Sequence, residues 1–509
     1  MRKNVYLKNR YNCIFRMATV YAVIVICYLT LLFAVFPSPA YAGKLKSVKS
    51  KKLKLSKKNN SLNEKFKNID RYKNLIKANG LNIGSIDLRT ALKLALKYYP
   101  GIQSSKYSYV ASIYNKNESL YNYYPQISAN ALYSKNSVMS VSSLSSYTPS
   151  PSFMNNGGIN YSLNTYSANL NTTWLLYSFG SRRYSFMQSF YGMKVSKYAY
   201  GQEINTDLYS VILNFAQYFQ DKEIEKADNE NLKNNETTYK AAEAFYRVGT
   251  GDLLDAESAK ANMETAKAAY INSKFNSKIA KLALINSIGL PLNKNYNFIN
   301  TMEMKIFKKN LETLIKLGLK YNPALKENWF TVKSGKASVK EAATAYYPNL
   351  NADFNYTGEN SVFPLNRNYN VGITLNIPIF NGFLTKNKVE YSKASLYSAV
   401  WSKKLAENNL IYTVSQDYYA IKNQYLTVKA LKQSEISSKL AYTLALKSYE
   451  VGVGSMVQLV TANAQYISAL TSYINGEYSY FYLKAKLYSD IGLMLEHYIK
   501  KLRWKNVEK

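Results

Sequence analysis

His497 is the single histidine among 509 residues, and the two cysteines, Cys13 and Cys27, both fall within the first 42. A thiolate or imidazole metal site needs several such ligands at one place, so Cys-ligated metals, cysteine nucleophiles and His-rich sites are excluded beyond residue 42. His497 stands near a basic tail and reads as a surface residue rather than a ligand. The 32 carboxylates lie mostly beside lysines on helical stretches, which is the pattern of solvated ion pairs. No phosphate-cradling glycine loop of the Walker type is present. These residue types point away from an enzyme, from a cofactor and from a bound metal. The spacing that does recur is a turn: Tyr246-Arg247-Val248-Gly249-Thr250-Gly251 and Tyr449-Glu450-Val451-Gly452-Val453-Gly454, 203 residues apart. Glycine there supplies positive φ for a tight link between two helices. Such a turn is either purely structural or an exposed docking loop.

The elements that present these turns form a tandem repeat. Leu88-Arg89-Thr90-Ala91-Leu92-Lys93-Leu94-Ala95-Leu96-Lys97-Tyr98-Tyr99-Pro100 matches the run from Leu311 to Pro323 at an offset of 223, and Tyr123-Tyr124-Pro125 matches Tyr346-Tyr347-Pro348 at the same offset. The glycine turns, and Ile288-Gly289-Leu290 against Ile491-Gly492-Leu493, match at 203. The change of 20 residues between offsets falls at the Ser-rich stretch Ser134 to Ser152, an inserted loop in the first copy.

Each half reads as short helix, hairpin, long helix, tight turn, long helix. Proline is absent from 152 to 290 and after 378, so Ser181 to Tyr246 and Phe383 to Tyr449 can each run as one helix of about 65 residues, roughly 100 Å long. Ala256, Ala259, Met263, Ala266 and Tyr270, with Leu459, Ala462, Tyr466, Ala469 and Tyr473, step by three and four, the seam of a coiled coil or of an ordinary bundle. The strands alternate. Tyr369, Val371, Ile373, Leu375, Ile377 and Ile379 share one face and Asn370, Gly372, Thr374 and Asn376 the other; Leu350, Ala352, Phe354 and Tyr356 form the partner strand. In the first half Ile127, Ala129, Ala131 and Tyr133 pair in type with Ala168, Leu170, Thr172 and Trp174. This is the pattern of lipid-facing barrel strands, which a soluble sandwich strand also shows. Four strands cannot close a barrel, and open edges are not tolerated in lipid, so such a subunit completes its wall with copies of itself.

Residues 1–42 read as a signal peptide: a basic head, an apolar run from Val20 to Phe36, and Ala40-Tyr41-Ala42 as the cleavage motif. The run is also long enough for an uncleaved inner-membrane anchor. The net charge of +34 would ordinarily raise nucleic acid as a partner. Its distribution argues against that partner: the signal carries +5 and residues 43–85 carry +11, leaving +18 for all the rest. That Lys-rich leader reads as a solvated disordered segment, or as one drawn to anionic lipid or cell-wall polymer.

The Leu-rich helix ending in Tyr-Tyr-Pro or Tyr-Asn-Pro, the corners Tyr177-Ser178-Phe179-Gly180 and Phe380-Asn381-Gly382, the two Val-Gly turns and the Ile-Gly-Leu ends, taken in order and twice, resemble the TolC-type outer-membrane efflux proteins across about residues 86–495. The resemblance implies a mainly α fold with a membrane β-barrel contribution. Residues 86–292 would be the first repeat (hairpin about 126–177, long helices about 181–246 and 252–289), 293–308 a linker, 309–495 the second repeat (hairpin about 349–380, long helices about 383–449 and 455–491) and 496–509 a basic tail. It implies a homotrimer sharing one twelve-stranded barrel in outer-membrane lipid, continued by a helical tube in the periplasm. Its partners would be a periplasmic adaptor and an inner-membrane transporter, in a tripartite efflux or type I secretion system. Val248, Gly249, Thr250, Gly251, Val451, Gly452, Val453 and Gly454 then become adaptor-docking residues at the tube's tip. Tyr449 and Asp255 match a tip latch, but Gly454 stands at the latch arginine, and Gln458 and Thr461 stand where relatives carry rings of Asp. The rivals are a structural or adhesive coiled-coil surface protein without flux, and a soluble periplasmic coiled coil held by an uncleaved anchor.

Overall fold

The computed structural model describes residues 85–140 and 159–499. The signal peptide, the leader up to residue 84, the middle of the Ser-rich loop and residues 500–509 of the tail lie outside the described residues.

Two prolines organise each half. Helix α1 (Leu88–Tyr98) starts on Asp87, whose carboxylate accepts the Thr90 amide at 2.9 Å, and gives way to α2 (Pro100–Glu118) with Pro100 at its first position. There the missing amide hydrogen costs nothing. The second half repeats this with α5 (Leu311–Tyr321) and α6 (Pro323–Thr344), capped by Asn322. The long helices follow as α3 (Ser181–Arg247) and α7 (Leu384–Glu450), each of 67 residues, and α4 (Leu253–Ile288) and α8 (Met456–Ile491), each of 36. A 67-residue helix spans about 100 Å.

The Ile-Gly-Leu motif and the Pro junction meet in space. Gly289 and Gly492 end α4 and α8 with φ of 79° and 82°. A Cβ on Gly289 would lie 2.8 Å from Tyr98 O and Tyr99 Cα, and one on Gly492 would lie 2.6 Å from Pro323 Cδ. Each repeat therefore closes on itself where its fourth helix abuts its first junction. Around these closures lie two cores, one of Leu92, Ile204, Leu208, Phe215, Leu284 and Ile288, the other of Leu314, Leu410, Val414, Ile421, Tyr480 and Leu487.

The four longer strands, β2 (Gln126–Ser140), β3 (Ile159–Tyr177), β5 (Asn349–Asn360) and β6 (Asn366–Asn376), form one antiparallel sheet in the order β2-β3-β5-β6. A two-residue parallel pair, β1 (Ser85–Ile86) with β4 (Asn297–Phe298), ties the segment just before α1 to the segment between α4 and α5. Ordered packing continues past residue 495, where a basic tail was expected to begin: α9 is Met494–Tyr498, and Ile499 is buried. His497, expected on the surface, is half-buried and stacks on Tyr488 with ring centroids 3.6 Å apart. An imidazole beside a phenol ring is simply the better use of its flat apolar face.

Candidate functional site

Register decides what the sheet can do. Residues directly opposite in paired strands share a face. Ile127, Thr172, Phe354 and Val371 lie in one row, and Ala129, Leu170, Tyr356 and Tyr369 in another. The alternate rows are amides: Ser128, Asn171, Asn355 and Asn370, then Asn130, Asn169, Thr357 and Asn368. The strands thus place mostly apolar residues on one side and mostly polar ones on the other, with Thr172 and Arg367 on the apolar side and Leu132 on the polar side among the exceptions. The apolar side of β6 is bare, with Val371 and Ile373 exposed by 68% and 71%. Aromatic clusters bracket this side. Tyr133, Tyr166 and Phe363 pack in sequence with tilted rings at 5.0 and 5.1 Å near the hairpin ends, and where strand meets helix Phe179 packs edge-on to Tyr177 at 4.7 Å and stacks on Tyr347 at 5.8 Å. An apolar band between two aromatic girdles matches the two interfaces of a bilayer. Arg182 anchors the lower corner, donating to the Leu175, Leu176 and Asn122 carbonyls and lying over the Tyr123 ring. Among the described residues no helix is long and apolar enough to cross a membrane.

At the opposite end of the long helices are the two glycine turns. Gly249 and Gly452 take φ of 78° and 77° with open space where a Cβ would stand, so conformation requires glycine there. At Gly251 and Gly454 the reason is crowding: a Cβ would lie 2.9 Å from Phe245 and 3.0 Å from Ser448. One carbonyl organises each turn. Phe245 O accepts from Thr250 N and Gly251 N, and Ser448 O from Val453 N and Gly454 N, all at 2.9–3.0 Å. Val248, Val451 and Val453 remain exposed, the last by 81%. Leu253, Leu254 and Val457 join them, extending the apolar tip beyond the turns proper. Sequence reading missed these three, although each stands just outside a three-four seam.

The four gate candidates occupy different settings. Tyr449 is only 6% exposed and packs edge-on to Phe245 within a tip core of Ala242, Ala259, Tyr442, Met456, Leu459 and Tyr466. Burial, reinforced by the nearby Asp255 carboxylate, raises its hydroxyl pKa. Asp255 sits half-buried in the first turn of α4, and among the described residues no hydrogen bond joins it to Tyr449. Gln458 is engaged locally. It closes a capping box with Ser455, whose hydroxyl accepts the Gln458 amide at 3.2 Å while Gln458 Oε1 accepts the Ser455 amide at 3.3 Å. Thr461 is exposed on the next turn. Among the described residues no group of His, Cys, Asp and Glu could hold a metal ion.

A sheet wet on one side and lipid-faced on the other, open at both edges and continued into helical hairpins, defines a composite outer-membrane protein, part barrel and part helical tube. The chain belongs to the outer membrane efflux protein family, whose profile matches residues 92–290 and 314–493, one stretch in each repeat. The outer membrane protein TolC of Escherichia coli is 21% identical over 270 residues, 49% of this chain and 54% of that protein. TolC of Salmonella enteritidis is 21% identical over 373 residues, 69% of this chain and 73% of its own length. Among solved structures, the CmeC outer membrane channel of Campylobacter jejuni superimposes with a TM-score of 0.71 at 19% identity, covering 83% of this chain and 88% of its own. The open state of the Neisseria gonorrhoeae MtrE outer membrane channel gives 0.66 at 18%, covering 80% and 89%. At such identities the structural likeness is one of fold. The protein is thus a tandem-repeat, mainly helical protein of the outer membrane.

Proposed function

We propose that the protein is one protomer of a trimeric, passive export duct that docks by its helical tip to a periplasmic adaptor and, through it, to an inner-membrane pump. The observation that carries the assembly is quasi-symmetry. Inside the chain the two repeats meet through β3 with β5, α3 with α6, and α3 with α8. The same steps taken outward from the second repeat lead from β6 to β2, from α7 to α2 and from α7 to α4 of a next copy. The surfaces these steps require are unpartnered in the single chain. β2 and β6 are the sheet's edges. The α7 face carries Leu405, Tyr412, Tyr419, Leu426 and Leu440 exposed at heptad spacing, α2 carries the exposed Tyr107, and α4 carries Ile271, Phe275, Ile279 and Leu282.

The mapping reaches single residues. Gln220 donates to Asn475 at 2.8 Å between α3 and α8; their repeat equivalents, Asn423 and Asn272, are both exposed and would meet across the subunit seam. Cysteines at Asn423 and Asn272 should form a disulfide that holds the assembly together through denaturing electrophoresis, while either cysteine alone gives monomers. Monomers from the double variant would remove this seam.

A duct is supported by the polar rows of the sheet, which would give the shared barrel a wet lining of amides and hydroxyls with Asp353 and Glu359 from each copy. Purified protein in planar bilayers should show discrete conductance steps. Silence from correctly folded trimers would favour the stalk. At the tip, any latch between Tyr449 and Asp255 of neighbouring copies would lack a salt bridge, because Gly454 stands at the latch arginine, and Gln458 and Thr461 would leave the ring positions uncharged.

A further inference from the structure

Midway along α7, far from barrel and tip, lies a charged group that neither lipid contact nor docking uses. Asp417 is 1% exposed. Its Oδ1 accepts from Lys486 Nζ on α8 at 2.6 Å, but its Oδ2 is buried without a hydrogen-bond partner. Asp490, one turn beyond Lys486, stands 3.9 Å from the same ammonium, so the two carboxyls flank one cation. A buried carboxylate oxygen left bare is costly, and two ionised carboxylates side by side would repel. One proton resolves both.

We propose that Asp490 takes up a proton as pH falls through neutrality and donates it to Asp417 Oδ2, forming a proton-dependent clasp between α7 and α8. The arrangement is then an acid, a carboxylate and an ammonium with no net charge. Burial, followed by the neighbouring Asp417, pushes the Asp490 carboxyl up to about 7. Burial opposes the Lys486 charge, yet Asp417 holds that proton on above the usual lysine range. The titratable groups facing the clasp are Asp417 from α7, Lys486 from α8 and Tyr209 from α3. From the α5–α6 junction comes the uncharged Asn322, whose amide donates to the Asp490 carbonyl at 2.6 Å. The clasp belongs to the second repeat alone, since the equivalents of Asp417, Lys486 and Asp490 are Asn214, Ala283 and Ser287.

Because the folded-state pKa of Asp490 is raised, its contribution is complete in acid and is lost as pH rises through about 7. Amide hydrogen exchange in the last turns of α8 reads this directly in the full-length assembled protein. After correction for intrinsic rates, the wild-type opening constant should rise by up to about tenfold per pH unit from the ordinary carboxylate range, about 4, up to about 7, and level off above it. In Asp490→Asn the side-chain amide donates to the same oxygen at every pH, so that slope should vanish and the variant should be the better protected at alkaline pH. An ordinary ion-pair role for Asp490 predicts the reverse, a variant looser at every pH; that result, or an unchanged slope, overturns the proposal. Infrared difference spectra of the wild type alone give a check that needs no variant to fold. A protonated-carboxyl stretch should be present in mild acid and lost in mild alkali, and its absence throughout would equally sink the clasp.

Discussion

Lysine at Val371 should abolish assembly in the outer membrane, and lysine at Asn370, one residue earlier on the same strand, should leave it intact. Both side chains are exposed and polar substitution at either looks harmless in a soluble protein. The difference comes from the row each belongs to. Val371 continues Ile127, Thr172 and Phe354 across the sheet, and Asn370 continues Ser128, Asn171 and Asn355. Val371 is the central residue of β6, midway between the girdles, where a lysine facing hydrocarbon costs about 2–4 kcal/mol per copy. In a barrel built from identical subunits that cost recurs in every one. It also falls on an edge strand that must pair with a neighbour before the wall can close. A lysine at Asn370 faces the amide rows and keeps its water. The measurement is the folded, protease-resistant fraction recovered from outer membranes after each substitution. Equal tolerance of both lysines would mean that neither face meets lipid, and would return the hairpins to a water-soluble packing.

The fold class was legible because its determinants are local and doubled. Proline positions, alternation and the Gly turns each appear twice, and one copy checks the other. The register of β3 with β5 joins strands from different repeats, yet the alternation on each strand already settled which residues share a side. The clasp was not legible: Asp417 and Lys486 are 69 residues apart, and the first repeat carries no copy of either to draw attention to them. Gln458 shows a different kind of miss. Ser455-Met456-Val457-Gln458 is a Ser-x-x-Gln helix-start signature visible in the sequence. The family's gate position and this capping signature fall on the same residue, whose side chain has a local partner three residues away. The apolar tip lay between these cases. Its glycines were conspicuous, but the exposure of Leu253, Leu254 and Val457 depends on which flank of each helix α3 and α7 leave uncovered.

That tip separates docking from mere turn-making. Val451 and Val453 are exposed by 72% and 81%, and the turn itself is held by main-chain bonds, Val453 N and Gly454 N to Ser448 O. Aspartate at both positions leaves those bonds and both glycines in place, so the hairpin should fold, the subunits should assemble and single-channel conductance should persist. What the change removes is apolar area that a partner would cover, and it adds charges the partner would have to desolvate. Losing an interface anchor of this kind costs about 2–4 kcal/mol, which is roughly a 30- to 700-fold loss of affinity. Cells carrying Val451→Asp with Val453→Asp should therefore lose export while retaining folded, conducting channels in the outer membrane. The paired readout matters because loss of both would indicate a broken helix hairpin, and retention of both would make the valines bystanders and the Val-Gly turns purely structural.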